Sequence, residues 1–187
     1  MTTSTIHPTT TTSIWQLDPA HTLVEFAAKH LMITTVKGRF TDVSGTIHMD
    51  EANPAASSVD AVIKAGSIDT RTDQRDAHLK SADFLEVERY PEITFKSTNV
   101  ERAGDGQYRV TGNLTIHGVT KQVVLDVHDE GRTKDPWGGE RAGFSATTRI
   151  DRRDFGLTWN QVIESGGVVV SNEIRITIEV EATKTAS

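Results

Sequence analysis

The groups in this chain best suited to bind a metal or move a proton are its seven histidines, His7, His21, His30, His48, His78, His117 and His128. No two stand in a His-x-His, His-x-x-x-His or His-Glu-x-x-His arrangement, the spacings that put two ligands on one face of a strand or helix. A metal site would have to be assembled from distant segments, and none is expected. Asp18 and His21 lie three residues apart across Pro19, so a turn can bring the carboxylate to an imidazole nitrogen and set its tautomer. The pair either pins the start of a strand or belongs to a catalytic group that recruits a serine. No Gly-x-Ser-x-Gly elbow is present to expose such a nucleophile, which favours the first reading. Arg75, Asp76 and His78 read as capping and ion-pairing residues of a helical segment before they read as catalysts. Arg152 and Arg153 follow an alternating run. One guanidinium then either faces a polar ligand head or pairs with Asp151 or Asp154. Trp137 and Trp159, on irregular segments, are loop anchors or lids over an apolar opening. Gly166-Gly167 lacks the strand, lysine and helix of a phosphate-binding loop.

The elements that must position these residues are strands. Thr22-Val24-Phe26-Ala28 alternates with Leu23-Glu25-Ala27-Lys29, giving two faces at a period of two. The same alternation recurs over 43–49, 59–65, 93–97, 108–116, 123–127, 144–150 and 174–180, which makes eight strands. Asn53-Pro54, Gly104-Asp105-Gly106 and His117-Gly118 read as tight turns, so sequential strands are antiparallel neighbours. Thr72 to about Glu86 is the one helical segment of any size, with a second short helical turn over Asn160 to Glu164. Asp129 to Ala142 reads as the longest irregular link. Strands this long close into a barrel or stack as a sandwich, and an eight-stranded barrel is just wide enough for one slender ligand. Small residues in the inward rows (Ala28, Gly45, Ala61, Ala65, Gly112, Ala146) signal either a cavity or tight sheet packing.

Composition narrows the function classes. The 187 residues contain no cysteine, which excludes thiol nucleophiles, Cys-ligated metals and disulfide scaffolds. Twenty Lys and Arg against 26 Asp and Glu leave a net charge of −6, the wrong sign for nucleic acid. No stretch approaches the ~18 apolar residues of a membrane span. Residues 1–13 are threonine-rich, carry no secretory signal, and read as a disordered tail. Residues 14–184 read as one domain.

Several strings resemble the YceI-like family. They are Trp15-Gln16-Leu17-Asp18-Pro19-Ala20-His21 running on to Phe26, with Lys29-His30 and Gly38-Arg39-Phe40; Ser67-Ile68-Asp69-Thr70 with Arg75-Asp76-Ala77-His78-Leu79-Lys80-Ser81-Ala82-Asp83-Phe84-Leu85 and Tyr90-Pro91-Glu92-Ile93-Thr94-Phe95; Gly112-Asn113-Leu114-Thr115-Ile116-His117-Gly118-Val119-Thr120-Lys121; and Ile150-Asp151-Arg152-Arg153-Asp154-Phe155-Gly156. The resemblance runs from Trp15 to Ala182. One departure is Thr22 where many relatives have Ser, which keeps a hydroxyl. Another is the missing signal peptide, since many members are periplasmic; a cytoplasmic location is expected here. The resemblance implies an elongated, eight-stranded antiparallel lipocalin-like barrel, all-β apart from one short helical insertion. It also implies an apolar tunnel for a long isoprenoid, such as a polyprenyl phosphate or quinone-type lipid, and a homodimer.

Alternation then nominates Val24, Phe26, Ala28, Ile63, Phe95 and Leu114 as lining, together with Ile116, Phe144, Ala146, Ile176 and Ile178. His21, Asp76, His78 and Arg152 are the head-group candidates at the mouth. The expected function is a carrier or reservoir for such a lipid, with no catalysis and no cofactor beyond the lipid itself. The competing reading is a hydrolase or isomerase using Asp18, His21 and His78. It requires those groups to converge within hydrogen-bond reach.

Overall fold

The computed structural model describes residues 12–185. Eleven strands are present among the described residues: β1 Thr12–Leu17, β2 Leu23–His30, β3 Thr34–Phe40, β4 Val43–Asp50, β5 Ser58–Lys64, β6 Ile68–Asp69, β7 Glu92–Gly104, β8 Gln107–Ile116, β9 Val119–Lys134, β10 Glu140–Asp151 and β11 Glu173–Lys184. Every pairing is antiparallel. The order β1-β4-β5-β7-β8-β9-β10-β11 closes on itself through β1 and β11, an eight-stranded barrel. The three further strands extend its wall. β2 continues β1 along β11, β3 pairs with β2, and β6 pairs with β3.

The eight expected strands are all present, as β2, β4, β5, β7, β8, β9, β10 and β11, while β1, β3 and β6 were not expected; local hydrogen bonding explains two of the breaks that set the added strands off. After β1, Pro19 has no N–H, and Asp18 takes the next amides itself: its Oδ1 accepts from Ala20 N at 3.0 Å and its carbonyl from His21 N at 3.1 Å. Between β3 and β4, Ser67 Oγ accepts from Thr41 N and Asp42 N at 3.2 and 3.1 Å, so the amides that leave the ladder are satisfied.

The tight turns fall where expected at Asp105-Gly106 and His117-Gly118, each joining sequential antiparallel strands. Four details differ from the sequence reading. Thr12 and Ser13, assigned to the tail, belong to β1, while residues 1–11 lie outside the described residues. The helix α1 is Asp73–Lys80 and does not reach Glu86. Residues 160–164 are not helical, because Asn160 Nδ2 donates to Val170 O and Asn160 Oδ1 accepts from Val170 N (2.7 and 3.1 Å), holding an extended hairpin instead. Most of 129–142 is strand, with a bulge in β9 where Glu130 is skipped by the ladder opposite Gly143/Phe144, and only 135–139 is the connection.

Burial divides into two clusters. One gathers Ile68, Leu85, Ile93, Leu114, Phe155 and Leu157 under α1 and the 152–157 turn. The other gathers Trp15, Leu17, Val43, Met49, Ala142 and Ala182 around β1 and the end of β4. The lumen between the inward rows is not filled by side chains, and a cavity touches both clusters.

Candidate functional site

The cavity is about 790 Å³, within the range of ligand-binding pockets. Strand periodicity builds it. Val24, Phe26 and Ala28 of β2 line it, as do Ile63 of β5, Phe95 of β7, and Leu114 and Ile116 of β8. Phe144 and Ala146 of β10 and Ile176 and Ile178 of β11 complete the nominated row. Residues not nominated extend the same surface, among them Val43 and Ile47 of β4 and Leu125 and Val127 of β9.

The small residues act in two ways. Ala28, Ala61 and Ala146 line the open lumen. Gly112, with the unexpected Gly38, instead makes room for an aromatic ring. A Cβ at Gly38 would collide with the Phe26 ring, and one at Gly112 with the Phe95 ring. Each ring therefore packs over a glycine of the wall at a distance that no side chain there would allow. Gly45 packs against Leu17 and the backbone of β5, and Ala65 is buried in the α1-side cluster. These two serve packing and not the cavity.

Of the four head-group candidates, Arg152 alone lines the cavity. The inward row Phe144-Ala146-Thr148-Ile150 runs on to it, and it is 3% exposed. Its Nε donates to Ser171 O at 2.9 Å, and its Nη1 to Leu157 O and Trp159 O at 2.7 and 2.9 Å. Nη2 has only two contacts, Val170 O and Asn172 Oδ1, both at the 3.5 Å limit. All five acceptors are neutral. Burial lowers the guanidinium's pKa from its ordinary value. The neighbouring cation differs: Arg153 is exposed and holds Asp151, whose carboxyl it brings down to about 2.

The other three candidates sit elsewhere. His21 is exposed, and its Nδ1 donates to Asp18 Oδ2 at 3.0 Å. Arg141 Nη1 donates to the same Asp18 oxygen at 2.6 Å and to Glu181 Oε1 at 3.0 Å, while its Nε reaches Asp135 at 3.0 Å. The bond from His21, followed by that from Arg141, holds the Asp18 carboxyl down at about 2, and Asp18 in turn pushes the His21 pKa up. Asp18, His21 and Glu181 offer ligand atoms within 4.8 Å of one another. The Arg141 guanidinium already occupies both carboxylates, so the cluster ties the 135–139 hairpin to β1 and β11.

Asp76 accepts from Thr70 N and Thr70 Oγ1 at 2.8 and 2.5 Å, and Arg75 donates to Thr70 O, which fastens α1 to the end of β6. His78 Nε2 bonds Asp83 Oδ2 at 2.8 Å and meets Phe84 and Trp159 edge-on, with centroids 5.1 and 4.8 Å apart. Trp159 is thereby an anchor between α1 and the 155–171 segment. Trp137 is 85% exposed at a hairpin tip. His78 bonds neither Asp18 nor His21, so the constellation that the enzyme reading needs is not assembled.

Sequence reasoning passed over Asp50 and Arg132, which line the cavity at its other end. Asp50 has the outward parity of its strand, and Arg132 fell in the stretch read as a loop. Parity, the signal that found Arg152 at the end of its row, points away from Asp50.

Comparison with known proteins agrees with this architecture. A family model described as the YceI-like domain matches residues 15–182. Protein YceI of Salmonella newport is 46% identical over 138 residues, covering 74% of this chain and 72% of that one. The crystal structure of the Campylobacter jejuni YceI protein superposes with a TM-score of 0.73 at 38% identity, over 84% of this chain and 90% of that one. A polyisoprenoid-binding domain from Saccharophagus degradans has the same fold, with a TM-score of 0.67 at 16% identity, over 94% and 100% of the two chains. The chain belongs to the YceI-like family.

Proposed function

We propose that this protein binds one long-chain isoprenoid lipid in the barrel lumen and acts as its carrier or reservoir, without catalysing a reaction on it. The observation that carries the reading is an unfilled apolar cavity whose wall includes a buried cation with only neutral partners. An isoprenoid tail supplies what the lumen lacks. Removing apolar surface from water contributes roughly 25 cal/mol per Å², offset in part by ordering the chain. A phosphate at the tail's end supplies what Arg152 lacks, an anionic acceptor for Nη2. The polyisoprenoid-binding domain of the same fold supports the ligand class.

The test is native mass spectrometry of protein purified without detergent, followed by uptake of added polyprenyl phosphate or isoprenoid quinone. A stoichiometric lipid-sized adduct is expected. Absence of any adduct, together with failure to take up either added lipid, would overturn the reading.

A further inference from the structure

Met32, Ile33 and Val162 are 55, 77 and 81% exposed, and they stand on two adjoining hairpins at the Arg152 end of the barrel. One hairpin joins β2 to β3, and the other runs over 160–168. The two are zipped together: His30 bridges Val170, Leu31 N donates to Val169 O at 2.9 Å, and Ser171 N donates to Lys29 O at 3.0 Å. Half-buried Leu31, Ile163 and Val168 extend the apolar surface between them. Large apolar side chains grouped in this way on a surface mark contact with a protein or a membrane.

The β2–β3 turn also breaks a local rule. Leu31 and Met32 both have positive φ, 51° and 63°, and Ile33 N donates back to His30 O at 3.1 Å. Positive φ at both central residues is the sign pattern of a type I′ turn, which selects Asn and Gly because other side chains are strained there. Packing accounts for part of this choice, since Met32 Cγ lies close over Gly167. Ile33 only projects. Strain held for the sake of exposed apolar surface points to a function for that surface.

The charge beside it is mainly positive. From Ala27 to Gly38 the chain carries Lys29 and Lys37 and no acid, and Glu164 is the one acid over 160–168. Ala27 pairs with Lys37 on one side and with Arg175 on the other, which sets both cations on the outer face. Lys29, Lys37 and Arg175 are exposed and have no carboxylate at ion-pairing distance among the described residues. The nearby Arg39 and Arg149, by contrast, are held by Asp69 and Glu173. A chain of net charge −6 thus keeps three unpaired cations next to its apolar hairpins.

We propose that these two hairpins dock the protein on a bilayer surface that contains anionic lipids. Met32, Ile33 and Val162 enter the interface, and Lys29, Lys37 and Arg175 meet the head groups. A second copy of the chain suits this surface less well, because a symmetric contact would bring two sets of cations together. The inference goes beyond the carrier reading and does not require it. Ala28 and Val170, beside the hairpins, line the lumen, so a docked molecule turns its Arg152 end to the membrane.

The experiment is flotation of the full chain with vesicles of phosphatidylcholine mixed with phosphatidylglycerol, and with phosphatidylcholine alone, no isoprenoid being present. The wild type is expected to float with the mixed vesicles. The double variant Ile33→Ser, Val162→Ser should weaken that binding about tenfold or more, with the thermal transition unchanged because both side chains are exposed. Lys29→Gln and Lys37→Gln should each weaken it about fivefold on the mixed vesicles alone. Binding that Ile33→Ser, Val162→Ser leaves unchanged would overturn the inference. So would a wild type that stays unbound, and if it then sediments as a dimer that the double variant dissociates, the surface belongs to a second copy. Uptake of farnesyl phosphate from free solution, read by native mass spectrometry, is a separate measurement whose failure counts against the carrier reading and leaves docking standing.

Discussion

Replacing Arg152 with methionine separates what this residue does for the fold from what it does for a ligand. Methionine keeps an unbranched stem, stops short of the guanidinium nitrogens and leaves no charge. The substitution removes the donors for Ser171 O, Leu157 O and Trp159 O, all 2.7–2.9 Å away. Each carbonyl stranded in a buried setting costs about 1–3 kcal/mol. Against this, the fold no longer has to desolvate a guanidinium, a penalty of several kcal/mol that the native contacts already offset. The part-buried Ser171 and Trp159 carbonyls also regain some water. A net loss of about 2–4 kcal/mol follows, which for a chain of this size lowers Tm by roughly 5–15 °C. Urea unfolding followed by tryptophan fluorescence measures the total. Hydrogen exchange locates it, with the 155–171 segment opening first because its carbonyls lose their common donor. A loss below about 1 kcal/mol, with unchanged exchange over 155–171, would refute the reasoning and make Arg152 a ligand group with no structural duty.

Two further outcomes test the lumen and the surface network. Ala146→Trp places an indole in the open lumen and is expected to abolish lipid uptake with little change in Tm; a stability loss of about 1–3 kcal/mol with uptake retained would mean a packed core. Asp18 and Asp151 both have carboxyls depressed to about 2 in the fold, so the stability they add is present above about pH 4 and is lost as the pH falls toward 2. Urea midpoints measured over that window should fall less steeply in the Asp18→Asn, Asp151→Asn double variant, and an unchanged slope would contradict the assignment.

The barrel was legible because its strands face a lumen on one side and water on the other, which gives period-two alternation wherever the inward residues are apolar. Alternation failed where the inward residue is small. β3 presents Val36, Gly38 and Phe40 at this parity, with Gly38 under the Phe26 ring, and the glycine hides the strand. β1 was hidden by its length and its threonine-rich flank, although Trp15 and Leu17 are both buried. Tertiary contacts also overrode local preference. The chain leaves α1 after Lys80 because Leu85 N and Val87 N turn back to Leu79 O and Lys80 O, burying Phe84 and Leu85.

The candidate site divides along the same line. The apolar lining and Arg152 follow from parity along single strands. His21, Asp76 and His78 were nominated for their chemistry, but each is engaged by a local partner, Asp18, Thr70 and Asp83 respectively, and such pairing depends on turns that periodicity does not encode.

The measurement that bears most directly on an isoprenoid-filled lumen is affinity as a function of tail length, taken by calorimetry on geranyl, farnesyl and geranylgeranyl phosphates with one head group throughout. Each buried CH₂ contributes up to about 0.8 kcal/mol before chain ordering is subtracted. Each added isoprene unit should therefore tighten binding by about tenfold or more until the lumen is full, with an increasingly negative heat-capacity change. Affinity that does not change with tail length, or that follows the phosphate alone, would contradict the account.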